Sequence, residues 1–120
     1  MKLCIPATAA DLDAPIDERL GRAACFVLAD SEAGVLVEAR SNTQNRQAAE
    51  GAGVQAGRQI AELQPDAVLC AHCGPKAFRV LQAAGIAVYV GASGTVRDAV
   101  AAHRDGRLSE TTDANVEGHW

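Results

Sequence analysis

Two short runs, Ala67-Val68-Leu69-Cys70 and Ile86-Ala87-Val88-Tyr89-Val90, are apolar throughout, without the polar alternation of a strand that has one face in water. Each is followed by a segment with helical signals. Pro75 to Ala84 opens on a helix-favouring proline and closes at Gly85; Thr95 to Asp105 opens on a capping-box-like Thr95-Val96-Arg97-Asp98 and closes at Gly106. Strands apolar on both sides that alternate with helices of about ten residues pair in parallel and are covered on both faces. That rhythm restricts the chain to an α/β architecture.

The first half supplies the rest of the sheet. Lys2-Leu3-Cys4-Ile5, closed by Pro6, reads as a strand. Cys25 to Ala29 and Val35 to Ala39 flank Asp30-Ser31-Glu32-Ala33-Gly34 and read as a β-hairpin. Ser41 to Gln47 is a polar loop, and from Gln47 to Leu63 the spacing of Ala52, Ala56, Ile60 and Leu63 predicts a helix stopped by Pro65. Right-handed crossovers then give a five-stranded mixed sheet in the order 3-2-1-4-5, with only the second strand antiparallel, flanked by helices. Chain length and a 48% hydrophobic composition suit one domain over residues 1–120 with one modest core.

Several function classes are disfavoured. A net charge of -4 and four aromatic residues (Phe26, Phe78, Tyr89, Trp120) provide neither a basic stripe nor stacking platforms for nucleic acid. No apolar run is long enough for a membrane, and no signal-peptide h-region follows Met1-Lys2, so a cytoplasmic protein is expected. Gly51-Ala52-Gly53 and Gly57 fail the dinucleotide fingerprint in spacing and in position; close helix-to-sheet packing is their expected use.

The chemistry concentrates in Leu69-Cys70-Ala71-His72-Cys73-Gly74-Pro75-Lys76. Two thiols and an imidazole fall on a turn between a strand and a helix N-terminus, where unpaired N–H groups and the helix dipole favour negative charge. In a reducing compartment such a pair serves as soft metal ligands or as a redox couple, while Cys4 and Cys25, inside apolar runs, read first as core thiols. The predicted topology draws the strand ends bearing Cys4, Cys25 and Cys70/Cys73 to one sheet edge. Beside them lie the helix N-termini at Pro75 and Thr95 and the long segment from Ala7 to Ala24, which reads equally as a binding lid or as a solvated connector. The tail ends in Glu117-Gly118-His119-Trp120, and a docked Trp120 would hold His119 near a pocket.

Gly21-Arg22-Ala23 after an acidic loop, Gly51-Ala52-Gly53, Gly74-Pro75-Lys76-Ala77-Phe78, Ala84-Gly85-Ile86 with Val88-Tyr89, Gly94-Thr95-Val96 and Asn115-Val116-Glu117-Gly118-His119-Trp120 together resemble the dinitrogenase iron-molybdenum cofactor biosynthesis family over essentially the whole chain. The resemblance implies a ribonuclease H-like fold and a non-enzymatic carrier or scaffold. Its cargo would be an iron-sulfur or molybdenum-containing cluster, received from a donor protein and passed to an acceptor. The family loop often reads Glu-His-Phe-Gly-Arg where this chain has Glu18-Arg19-Leu20-Gly21-Arg22, and the Cys70/Cys73 pair with His72 is not general in the family. Nuclease chemistry is not implied, because the first strand carries Cys4 and no carboxylate.

On this reading Cys70 and Cys73 are the leading metal ligands, followed by His72, with Cys25 and His119 behind them, while Arg22 and Gly74 complement an anionic cargo. Three alternatives stay open. One is a CxxC thiol redox protein; another is a closed zinc site of Cys70, Cys73, His72 and either Cys25 or His119. The third is a module that recognises a partner through its loop. A homodimer through the edge strand Val35 to Ala39 is also compatible with the pattern.

Overall fold

The computed structural model describes residues 1–42 and 52–111. Six strands form one sheet: β1 (Lys2–Ala7), β2 (Cys25–Asp30), β3 (Val35–Ser41), β4 (Ala67–Leu69), β5 (Ala87–Val90) and β6 (Ser109–Thr111). Their order is β3-β2-β1-β4-β5-β6. β1 pairs in parallel with β4, and β4 with β5, whereas β2 runs antiparallel to both β1 and β3.

The first five strands follow the predicted order; the count of five is corrected by β6, which runs antiparallel to β5. Ser109-Glu110-Thr111 is polar and largely exposed, so it carries no apolar signal and is held to the edge by its backbone pairing. β1 also runs past Pro6 to Ala7. Pro6 lies beyond the β1–β4 register, which ends at Cys4 and Val68, so its missing N–H does not interrupt that ladder.

Strand alternation splits the core into two layers. Cys4, Phe26, Leu28, Val68 and Val88 face α1 (Ala52–Leu63) and α2 (Pro75–Ala83). Leu3, Ile5, Val27, Leu69 and Ala29 face α3 (Val96–Arg104). The glycines of α1 do serve close packing, though between helices: a Cβ on Gly57 would sit 2.9 Å from Val80 Cβ, and one on Gly53 would sit 3.5 Å from Ala77 N. The α1–α2 contact therefore replaces the expected helix-to-sheet contact. Among the described residues no helix is long and apolar enough to cross a membrane. The predicted loop from Ser41 to Gln47 passes beyond Asn42 into residues 43–51, as does the start of the predicted helix, and the docking of Trp120 falls in 112–120; both stretches lie outside the described residues.

The segment from Ala7 to Ala24 is neither a free lid nor a solvated connector. It folds back along the sheet edge, with Ala7 pairing with Ile16, Pro15 with Thr95 and Arg19 with His72. A 3-10 turn at Leu20–Arg22 buries Leu20 against α1 and α2. The end of the segment is pinned by Asn42, the buried polar residue of the core. Asn42 Nδ2 donates to the carbonyls of Ala23 (2.9 Å) and Gly21 (3.3 Å), its Oδ1 accepts from Gln59 Nε2 (2.7 Å), and its N–H donates to the Ala24 carbonyl (2.9 Å). One side chain thus joins β3, α1 and the 3-10 turn.

Replacing Asn42 with Ala removes the side-chain partners of the Gly21 and Ala23 carbonyls and of Gln59, so a stability loss of about 1–3 kcal/mol is expected. Urea denaturation checks this; a midpoint equal to that of the wild type would show that Asn42 does not anchor the loop.

Candidate metallocluster site

The C-terminal ends of β1, β4 and β5 lie side by side, and β2 begins at the same edge, with Cys25 paired to Ala7. Directly after β4 the chain turns through Cys70-Ala71-His72-Cys73 into α2. The turn is tied to the end of β5: Cys70 N–H donates to the Tyr89 carbonyl (3.0 Å), Ala92 N–H to the Cys70 carbonyl (3.1 Å), and Gly91 N–H to the Ala71 carbonyl (3.3 Å). On its other side the bridge between His72 and Arg19 joins it to the folded-back segment.

Cys70 and Cys73 are brought together as predicted. Both are free thiols and both are buried; the Cys70 S–H donates to the Tyr89 carbonyl (3.5 Å) and the Cys73 S–H to the Gly74 carbonyl (3.7 Å). The partnership separates their acidities. The Cys70 S–H stabilises a Cys73 thiolate and holds Cys73 below the ordinary thiol range, against the opposing effect of burial. That same hydrogen bond, then burial, then the nearby Cys73 and Cys4 sulfurs push Cys70 up. Cys73 is therefore the first sulfur to ionise. His72, between them, is half-buried.

Cys4 joins this layer. Its pairing with Val68 in parallel register puts it on the face that Cys70, two residues further along, also occupies, and all three thiols line the core under α1 and α2. The sequence reading set Cys4 aside as a core thiol; strand parity together with adjacency of the first and fourth strands was the signal that joins it to the pair. Burial raises its pKa far above the thiol range.

Cys25 reaches the same edge but the opposite layer. It sits among Ala7, Ile16 and Val27, its Sγ donates to the Ala7 carbonyl (3.6 Å), and burial followed by the Asp17 charge raises its pKa. Cys25 thus lines the α3 side of the sheet at its edge, whereas Cys70 and Cys73 line the α1–α2 side. His119 lies outside the described residues. Arg22 ends the 3-10 turn, half-buried, with its N–H on the Arg19 carbonyl (3.2 Å).

The two helix N-termini differ. Gly74 is the N-cap of α2 and offers no side-chain cap, Pro75 follows it, and no acidic residue lies in the first turn. The N-terminus of α3 is closed. Thr95 and Asp98 form a full capping box, and the N–H groups of Val96 and Arg97 donate to the Ala14 and Leu12 carbonyls. Gly94 makes the box fit: its φ is +81°, and a Cβ there would fall 2.5 Å from an Asp98 carboxylate oxygen. Of the two expected anion-favouring helix ends, only that of α2 keeps this character.

No three His, Cys, Asp or Glu side chains are grouped to hold a metal ion among the described residues. The donor set is a thiol pair with an adjacent imidazole, which fits partial coordination of a soft metal centre and not the closed four-ligand zinc site that was one alternative.

The sequence profile described as dinitrogenase iron-molybdenum cofactor matches residues 1–106. The chain belongs to this family. It is similar to the apo form of the orange protein of Desulfovibrio gigas, at 34% identity over 96% of each chain with a TM-score of 0.89. A Thermotoga protein described as NifB-like is 32% identical over 98% of each chain, with a TM-score of 0.80. A dinitrogenase-like protein of Methanocaldococcus jannaschii shares the fold at 15% identity, covering 94% of this chain and 96% of its own, with a TM-score of 0.64. No curated protein matches the chain.

Alkaline pH tests the burial of the Cys4 thiol in this family member. Unfolded Cys4 loses its proton near the ordinary value of 9.0, while folded Cys4 keeps it. Above that pH the unfolded state binds fewer protons, so stability present at neutral pH is lost as pH rises, by up to about 1.4 kcal/mol per pH unit from this thiol. Denaturation at pH 8 to 11 should show a steeper decline for the wild type than for Cys4→Ala; parallel curves would mean that Cys4 ionises in the folded protein.

Proposed function

We propose that this protein is a non-catalytic carrier or scaffold for an iron-sulfur or molybdenum-containing cluster during cofactor assembly. The carrying observation is the buried Cys70/Cys73 pair at the C-terminal end of β4, ahead of an α2 N-terminus without a side-chain cap, in a chain of the iron-molybdenum cofactor family. Cluster ligation needs thiolates, and Cys73 supplies the first at the lowest proton cost, followed by Cys70 with release of the shared proton. His72, in the same turn, would have to swing toward the pair to serve as a third donor. Anionic character in the cargo suits the α2 N-terminus, and Arg22 adds positive charge on the neighbouring turn.

Two or three ligands instead of four suit a cargo that is handed on, since full protein coordination would slow its release. Both sulfurs are buried, so loading requires the turn and the Arg19–His72 bridge to part. Donor and acceptor proteins are the implied partners, in the cytoplasm, and the protein works without nucleic acid or membrane. Within the same reading β1 to β5 are a ribonuclease H-like arrangement, with β6 as an addition.

Anaerobic reconstitution with ferrous iron and sulfide, with and without molybdate, followed by elemental analysis and visible spectroscopy, tests this. The wild type should take up stoichiometric metal with charge-transfer absorption, and Cys70→Ser/Cys73→Ser should lose at least about tenfold in affinity, as expected when both ligands are removed. A wild type that stays metal-free under every condition overturns the proposal.

A further inference from the structure

We infer that the cavity between the β2–β3 hairpin and α3 binds a small monocarboxylate with an apolar body. This place is separate from the thiol turn. The hairpin closes the end of the sheet where β1 begins, with Asp30 paired to Lys2, and the cavity lies on the α3 face; Cys70 and Cys73 line the α1–α2 layer beyond the C-terminal end of β4. The inference does not depend on the carrier reading.

The layering of the fold creates the space. Among the described residues α3 is the one helix on its face of a six-stranded sheet, and it packs over β1 and β4. The hairpin side of that face is left without a helix. Leu12 covers part of the gap, and the remainder is a cavity of about 240 Å³. Its floor is small or apolar, from Ala29 of β2 and Gly34 of the hairpin turn to Val100 and Ala101 of α3. The Leu12 wall is fixed in place: the Leu12 carbonyl accepts from Arg97 N–H (2.8 Å), and Asp13 Oδ1 accepts from Arg97 Nε (2.9 Å). Binding therefore needs no ordering of a loop. The volume falls below the range of drug-sized sites, about 300–1,000 Å³, so the ligand is small.

The charges around the cavity select the head group. Arg97 and Arg104 both line it, two turns and about 10 Å apart along α3. Arg97 is taken up by Asp13, but Arg104 has charge to spare: the carboxylate that pairs with it, Asp105, stands at 3.9 Å and is shared with Arg107 at 3.4 Å. These contacts are exposed and weak, so a ligand carboxylate can replace them. The planar guanidinium offers such a group two parallel hydrogen bonds. Asp30, also in the wall, limits the ligand to one negative charge. Its Oδ1 is committed to the N–H groups of Glu32 (2.8 Å) and Ala33 (3.2 Å), and its charge repels a second anionic group. The ligand thus sets its carboxylate on Arg104 and lays its apolar body against Val100, Ala101 and Ala29.

Octanoate is the probe, titrated into isotope-labelled protein and followed by amide NMR. Acetate, the head group alone, and octylammonium, the same chain with the opposite charge, are titrated in parallel. Octanoate should give saturable shifts of the Leu12, Ala29, Gly34, Val100 and Ala101 amides, and the other two compounds should not. Arg104→Met keeps the stem and removes the charge; it should weaken octanoate at least about tenfold, as expected when a hydrogen bond to a charged group is lost. Ala101→Leu fills the cavity and should abolish the response. Both side chains reach the helix surface, and unchanged signals elsewhere in the spectrum show that each variant keeps the fold. An octanoate titration without saturable shifts, or with shifts away from the cavity, would overturn the inference. So would acetate or octylammonium binding as tightly as octanoate, unchanged affinity in Arg104→Met, or a full response in Ala101→Leu.

Discussion

The parallel pairing of β1 with β4 is the constraint on which the rest depends. It joins the hairpin half of the chain to the alternating half, places strands with no polar face at the centre of the sheet, and so requires helices on both sides. It also sets the chemistry. Because Cys4 opposes Val68, the thiol of the first strand and the thiols after the fourth share one core layer, although more than sixty positions separate them in sequence.

The crossing point at the C-terminal edge leaves backbone groups to satisfy, and the segment from Ala7 to Ala24 meets much of that need. It feeds carbonyls to the first N–H groups of α3, pairs with the turn at His72, and is itself locked by the buried Asn42. A stretch with no periodicity thereby becomes a fixed wall of the site. Its effect is selective: the α3 N-terminus is consumed by capping, and that of α2 is left to face the thiol turn.

Burial acts on the three clustered sulfurs unequally. Cys4 has no thiol partner to stabilise its charge, so desolvation dominates and the group stays neutral. Cys73 is stabilised by the Cys70 S–H, and the pair divides into an acidic and a reluctant sulfur.

By itself, the sequence determined the α/β class, the order of the first five strands, the helix limits at Pro75, Gly85 and Thr95, and the place of the Cys70-x-x-Cys73 turn between β4 and α2. Each of these is written in local signals: apolar runs, caps and breakers, and a spacing that backbone geometry alone brings together. Only the tertiary structure decided that β6 exists, since Ser109-Glu110-Thr111 is held by backbone pairing and carries no side-chain pattern. It also assigned Cys25 to the far face and Cys4 to the near one, set Gly57 against Val80 instead of the sheet, and closed one of two helix ends. Those outcomes depend on which face a side chain takes and which distant backbone group reaches it, and such relations arise only when the strands have paired.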